Sequence, residues 1–340
     1  MQKLQSKSLA DLPVAMTNAT GIFHNDQLLV GGGYTGRSKD DVLLYTYDSN
    51  FDSWSSLPPA PLKWSALTSL DNQVMLVGGK EAGKPEVGYT NRVAVFDEES
   101  KTWVFFNPPM QVARLSPVVL TYDSYLIVAG GSKGSLDYNV EIYDPATKQW
   151  MTTIPLPQKC SRHTSTTING VWYLLNSDSG FIYYVDILFF IQHHCGCDQQ
   201  KLIDDVEDSL PDALPSHSTN ERIHKKISKE QNETWKLIEA QPHSKPFCIT
   251  SIEGHLLALS HVKGAVLVSA YMDGSWECIG KLPFTAATAS MAVDLLGQLY
   301  LFGGEGACGK YSSKLFKVSM VPKDTKKHVA LDTSSFLTDQ

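Results

Sequence analysis

The sequence predicts an all-β chain, a six-bladed β-propeller whose ring is closed by an N-terminal strand and whose fourth blade carries a partly helical or disordered insertion. Three observations predict it. An apolar strand ending in two glycines recurs along the chain. An aromatic-Asp pair followed at a fixed interval by Trp recurs with it. The 340 residues, less one insertion and a polar tail, then divide into six such units.

The full unit occurs three times. Leu28-Leu29-Val30-Gly31-Gly32 leads to Tyr47-Asp48 and Trp54, Met75-Leu76-Val77-Gly78-Gly79 to Phe96-Asp97 and Trp103, and Ile127-Val128-Ala129-Gly130-Gly131 to Tyr143-Asp144 and Trp150. Asp precedes Trp by six residues each time, and the tryptophans are spaced by 49 and 47 residues. Three weaker units follow. Leu299-Tyr300-Leu301-Phe302 keeps its Gly303-Gly304, whereas Val171-Trp172-Tyr173-Leu174-Leu175 ends in Asn176-Ser177 and His255-Leu256-Leu257-Ala258-Leu259 in Ser260-His261. Trp235 and Trp276 supply two more outer-strand tryptophans. The strands alternate or run apolar, as expected of a sheet buried on both faces between neighbouring sheets.

This repeat resembles the kelch motif, about 50 residues forming one four-stranded blade, and the resemblance covers nearly the whole chain outside residues 187–233 and the tail. It implies blades near residues 18–60, 63–108, 113–156, 162–240, 245–282 and 285–320, with a tail over 321–340. Inner strands are expected near Asn18, Ser65, Leu115, Thr164, Phe247 and Ala286. Without a tail of about 20 residues and an insertion of about 40, roughly 280 remain, or about 46 per blade, inside the propeller range.

The last blade supplies three strands and no Trp. Leu12-Pro13 repeats the Leu-Pro that follows other outer strands at Leu57-Pro58, Leu156-Pro157 and Leu282-Pro283. Residues 2–9 are therefore expected to complete blade six and cover its open edge. The glycine pairs read as backbone crossings beside the central channel, too tight for a side chain, not as a phosphate loop, which wants a helix and a Lys behind it. The tryptophans read as packing between blades.

A formal charge of −7 and scattered Lys and Arg exclude a nucleic-acid surface. Residues 1–11 hold no apolar run of signal-peptide length, and the longest strongly apolar run, residues 187–191, falls far short of a membrane span. Six cysteines without a repeated spacing read as free thiols of a reducing compartment, with the cytoplasm as the expected address and a monomer as the expected state.

Trp150 and Trp235 lie 85 residues apart, so the insertion falls over residues 187–233. Leu202, Ile203, Val206 and Leu210 recur at helical spacing, residues 188–191 are expected to pack on the propeller, and the composition turns polar beyond Pro211. His193, His194, Cys195 and Cys197 are zinc-ligand types, but only His217 and His224 follow as further ligands. No metal and no cofactor is expected.

In kelch propellers the common binding face carries the loops leading into each inner strand and the loops after each glycine pair. The first set contains Lys63, Trp64, Arg114, Arg162, His163 and Lys245, and the second Tyr34, Arg37, Lys80, Lys133 and Tyr138. Arg clamps a carboxylate at two points while Tyr and Trp add rigid contact area. The expected function is a protein-interaction scaffold or adaptor, with an acidic or phosphorylated peptide as the leading ligand; the competing use of these cations is to close salt bridges between blades. No catalytic residue is assigned. The alternative is a sugar-binding protein or a sugar-acid epimerase-like enzyme at the channel mouth, drawing on His163 with Arg114 and Arg162. Many kelch proteins recruit ligase substrates through a helical domain before the propeller. The chain has no room for one, so a stand-alone propeller or a fragment of a longer protein is expected.

Overall fold

The computed structural model describes residues 2–35, 43–84, 88–131, 139–158, 163–194, 234–242, 244–262, 265–282, 290–294, 296–305 and 310–322, with the backbone alone at 2, 3, 163, 193, 194 and 320–322. These residues form six antiparallel four-stranded sheets. Blade one contains Thr20–His24, Gln27–Gly31, Leu44–Asp48 and Ser53–Ser56, and blade two Ala66–Leu70, Gln73–Val77, Val93–Asp97 and Thr102–Phe106. Blade three contains Val118–Tyr122, Tyr125–Ala129, Val140–Asp144 and Gln149–Thr153, and blade four His163–Ile168, Val171–Asn176, Ile182–Asp186 and the short Lys236–Leu237. Blade five is Pro246–Ile252, His255–Val262, Ala265–Met272 and Ser275–Leu282. Blade six is Ser290–Val293, Leu299–Phe302 and Leu315–Pro322, completed by Gln2–Ser8. The first strand of each blade packs beside that of the next, and the sixth beside the first, so the sheets close into a propeller.

The aromatic-Asp-x5-Trp motif is the hairpin between third and outer strands. Tyr47 stands directly opposite Trp54, Phe96 opposite Trp103 and Tyr143 opposite Trp150, with ring centroids 5.0, 5.1 and 5.5 Å apart. Such cross-strand aromatic pairs are the main local stabiliser of a sheet. The Asp between them accepts hydrogen bonds from backbone amides of its own turn: Asp48 from Asn50, Asp97 from Glu99, Asp144 from Ala146. Blade five reaches the same pairing, Tyr271 opposite Trp276, with a tighter turn through Asp273 and Gly274, both at positive φ.

Apolar burial is divided among the seams between blades. Leu29, Leu62, Leu76 and Phe96 pack between blades one and two. Val77, Met110, Val128 and Trp150 pack between two and three, and Ile142, Leu156, Trp172 and Trp235 between three and four. Four tryptophans staple neighbouring blades through their indole Nε1. Trp103 donates to Pro58 (3.3 Å), Trp150 to Pro108 (2.9 Å), Trp276 to Ala240 (2.8 Å) and Trp54 to Ala10 (2.9 Å). The last staple joins blade one to the segment that closes blade six. There Gln2–Ser8 pairs along its whole length with Leu315–Pro322, and Leu9 and Leu12 donate to Leu315 and Ser313.

The glycines are explained by contacts outside their own sheet. Gly78, Gly130 and Gly303 have φ of 67°, 60° and 65°, and Gly79, Gly131 and Gly304 of 95°, 92° and 97°. A Cβ on Gly78 would lie 2.7 Å from the Arg114 carbonyl oxygen, and one on Gly303 2.6 Å from that of Met16, each in the loop leading into the next blade. A Cβ on Gly131 would meet the Leu115 carbonyl, in the loop leading into its own blade, at 2.9 Å. The collisions are thus with neighbouring loops and not at the channel. In blade one the pair shifts by one residue. Gly31 stands opposite Leu44 as Val77 stands opposite Val93, so the equivalents of Gly78-Gly79 are Gly32-Gly33 and not Gly31-Gly32.

Blade four departs from the repeat where its aromatic-Asp hairpin should close. Asp186, the repeat's Asp, accepts from the Phe189 amide at 2.7 Å and caps the helix Ile187–His194. Ile187, Phe190 and Ile191 bury into the seam with blade three, while Leu188 and Phe189 are exposed, so only part of the expected 188–191 packing forms. Phe190 and Trp172 enclose Trp235, whose indole nitrogen has no hydrogen-bond partner among the described residues. The helix expected around Leu202, Ile203, Val206 and Leu210 lies outside the described residues, as do Ala286 and the 323–340 tail. The first described strand of blade six begins at Ser290.

Candidate functional site: the loop face of blades one and two

One backbone device shapes every loop that leads into the first three blades. The residue two before the inner strand is left-handed: Asn18 at φ 50°, Trp64 at 56° and Ser116 at 46°. For a residue as large as Trp that conformation is strained. It is held because the Trp64 carbonyl accepts from both the Ser116 amide (2.9 Å) and its hydroxyl (3.1 Å). The indole itself is half-buried.

Next to it a two-residue antiparallel ladder joins the loop before the inner strand to the loop after the glycine pair, with Leu62 opposite Glu81 and Lys63 opposite Lys80. Two cations face each other across this ladder, an arrangement that ordinarily costs stability. Both reach the same ring: Lys63 Nζ lies 5.6 Å and Lys80 Nζ 5.8 Å from the Trp64 centroid, and Lys80 is also 5.6 Å from exposed Tyr89. Beside them Glu81 binds Lys84 at 2.5 Å and Arg92 at 3.6 Å, and these cations hold its carboxyl below the usual carboxylate range. Blade one repeats the ladder as Thr17 with Tyr34, bonded both ways at 2.9 and 2.8 Å. Tyr34 is 43% exposed and meets Tyr311 of blade six edge-on at 5.7 Å. Lys63, Trp64, Lys80 and Tyr34 thus lie on one face.

Arg114 does not join them. It is 1% exposed, and its Nη2 binds Glu141 at 2.7 Å, with Nε of Arg114 at 3.1 Å from the same oxygen. Its Nη1 donates to the Gly130 and Asn139 carbonyls. Register explains the difference: Arg114 occupies the place of Met16 and Leu62, and Glu141 that of Tyr45 and Ala94, so a buried ion pair replaces apolar core within blade three. Burial lowers the Arg114 pKa and Glu141 opposes the shift. Arg37, Lys133, Tyr138 and Arg162 lie outside the described residues, and only the backbone of His163 is described, in its inner strand. Lys245 donates to the Asp178 carbonyl at 2.6 Å across blades four and five. Tyr89 and Tyr311 were not singled out from the sequence, although both sit in loops after glycine pairs. Phe247 and His261, stacked at 4.3 Å on the face of blade five, were missed because that blade has lost its glycines.

The inner strands of all six blades line a central channel of about 450 Å³. Its walls present the hydroxyls of Thr20, Ser165, Thr167, Thr250 and Ser290 among apolar residues. Among the described lining residues the one titratable group is the Cys248 thiol, which burial pushes up to about 11, so it stays protonated at neutral pH. The trio suggested for proton transfer at the channel mouth loses Arg114 to its buried pair. Among the described residues no group of three or more His, Cys, Asp or Glu is placed to hold a metal ion. The candidate side chains of His193, His194, Cys195 and Cys197 lie outside the description. No helix among the described residues is long and apolar enough to cross a membrane.

The family model described as "Kelch motif" matches residues 113–153, which is blade three. Human Kelch repeat and BTB domain-containing protein 3 is 26% identical over 164 residues, 42% of this chain and 26% of that protein. Human Kelch-like protein 23 is 26% identical over 171 residues, covering 48% and 29%. Beta-scruin of Limulus polyphemus is 24% identical over 173 residues, covering 47% and 19%. The matched region is thus less than a third of each relative's length. Among solved structures, "Structure of YjhT" superposes with a TM-score of 0.62 at 15% identity, covering 92% of this chain and 99% of that one, a likeness of fold.

Proposed function

Because this chain is a six-bladed kelch-repeat β-propeller, we propose that it is a non-catalytic protein-interaction scaffold that engages an acidic or phosphorylated segment of a cytosolic partner through the loop face of blades one and two. The observation that carries the reading is the Lys63–Lys80 pair opposed across one ladder and sharing the Trp64 ring. An anion placed between the two ammonium groups is attracted by both, and the flanking Trp64, Tyr89 and Tyr34 supply rigid aromatic area, the mixture typical of binding hot spots. The relatives' names place kelch repeats in them and name no partner.

Affinity capture from cell extract tests this with three forms of the full chain: wild type, Lys63→Glu/Lys80→Glu on the loop face, and Lys101→Glu/Lys148→Glu on the opposite face. The expected result is a protein retained by the wild type and the opposite-face variant and lost from the loop-face variant. Equal retention by all three would place recognition elsewhere.

A further inference from the structure

The outermost strand of each blade has one unpaired edge, and an apolar edge invites pairing with another chain. Five of the six edges are protected. Blade one presents Ser53–Ser56, polar apart from Trp54, and blade three Gln149–Thr153, polar apart from Trp150 and Met151. Blade four has only Lys236–Leu237. Blade five carries Glu277 and Lys281 on a strand with a register shift, and blade six Lys3 and Lys7. Blade two differs. Its edge is Thr102-Trp103-Val104-Phe105-Phe106, five residues without a charge, with Val104 54% exposed.

We propose that this edge is the interface of a symmetric dimer in which Thr102–Phe106 of one copy pairs antiparallel with the same strand of a second copy, about a twofold axis through Val104. The strand is self-complementary in that register. Val104 faces Val104, Trp103 faces Phe105 and Thr102 faces Phe106, so Trp103 and Phe105 gain an aromatic cross-strand partner in both copies and Phe106 meets the Thr102 side chain. Charge is complementary as well. Val93 pairs with Phe106, and Arg92 lies with its guanidinium 3.5 Å over Phe105. Antiparallel pairing brings that end of one copy beside the 98–101 hairpin of the other, where Lys101 is held by Glu98 at 2.8 Å and Glu99 is exposed. The same residues recur on both sides of the axis, as an isologous interface requires. The dimer uses the rim of the ring and leaves the loop face open, so it stands apart from the partner site, and it replaces the monomer expected from the sequence.

Light scattering coupled to size exclusion, run on the full chain across a concentration series, reads the oligomeric state. The wild type is expected to approach twice the chain mass as concentration rises, and Val104→Lys to stay at the monomer mass at every concentration. Ser55→Lys, the equivalent position on blade one's edge, is expected to leave the dimer intact. A second readout is Val104→Cys under mild oxidation. Opposed residues of an antiparallel pair sit close enough for a disulfide, so the two introduced thiols are expected to cross-link the dimer, whereas those of Ser55→Cys are not. A wild type that stays monomeric throughout, or a dimer that survives Val104→Lys, overturns the proposal.

Discussion

At the scale of single residues, the glycines separate two costs that sequence alone merges. Gly79 and Gly83 both have positive φ, but a Cβ on Gly79 would collide with the Lys63 carbonyl, whereas one on Gly83 meets nothing within 4 Å. Gly83→Ala is therefore expected to cost roughly 1 kcal/mol of backbone strain, and Gly79→Ala clearly more, above about 2 kcal/mol; urea unfolding of the two variants checks the order. Arg114 teaches the converse lesson. Its position in a loop before an inner strand suggested a binding residue, and only three-dimensional register shows that this place is core. Arg114→Ala is expected to destabilise by about 3–5 kcal/mol by leaving Glu141 buried and unpaired, while Arg114→Leu with Glu141→Ala, the pair blade two uses, stays near wild type. His24 adds a pH dependence. It is buried against Ser69, and desolvation lowers its pKa below 6.5. Below that value the unfolded chain takes up a proton that the folded one refuses, so the contribution of His24 is present above pH 6.5 and lost as pH falls. The gap in melting temperature between neutral and mildly acidic buffer is expected to narrow in His24→Asn.

At the scale of elements, the aromatic-Asp-x5-Trp spacing was legible because it is a purely local hairpin: the aromatic and the Trp face each other and Asp ties the turn. What the Trp does beyond its hairpin was legible only as packing. Its donation to the preceding blade's carbonyl depends on a residue some 40 positions away, and blade four shows that it can be lost. Trp276→Phe should cost about 1 kcal/mol more than Trp235→Phe, since the two lose similar volume but only the first breaks a hydrogen bond. A reversed order in chemical denaturation would show that the staple is not what the indole supplies. The capping role of Asp186 was hidden for a related reason. In blades one to three this Asp ties the hairpin turn, and the insertion converts the same side chain to the start of a helix.

At the scale of the whole molecule, six blades and an N-terminal closure were readable by division, because a ring needs a whole number of blades and the last one lacked a strand. The seams distribute the core around the ring, so each blade depends on both neighbours, and removing Gln2–Ser8 exposes an edge and opens the circuit at once. Deletion of residues 1–8 is expected to lower the melting temperature of the entire domain in one cooperative transition; an unchanged value would contradict closure as the source of its stability. The binding face was less legible. Blade-level logic places loops correctly, but whether a given Lys or Arg in them lies over a surface ring or pairs in the core is decided by tertiary contacts, as Lys63 and Arg114 show.

The most direct test of the account is selection of a random peptide library against the immobilised wild-type chain. Enrichment of acidic sequences that Lys63→Glu/Lys80→Glu no longer retains is the predicted result. Peptides without an acidic bias, or acidic peptides held equally well by that variant, would contradict the assignment of this face as the site of recognition.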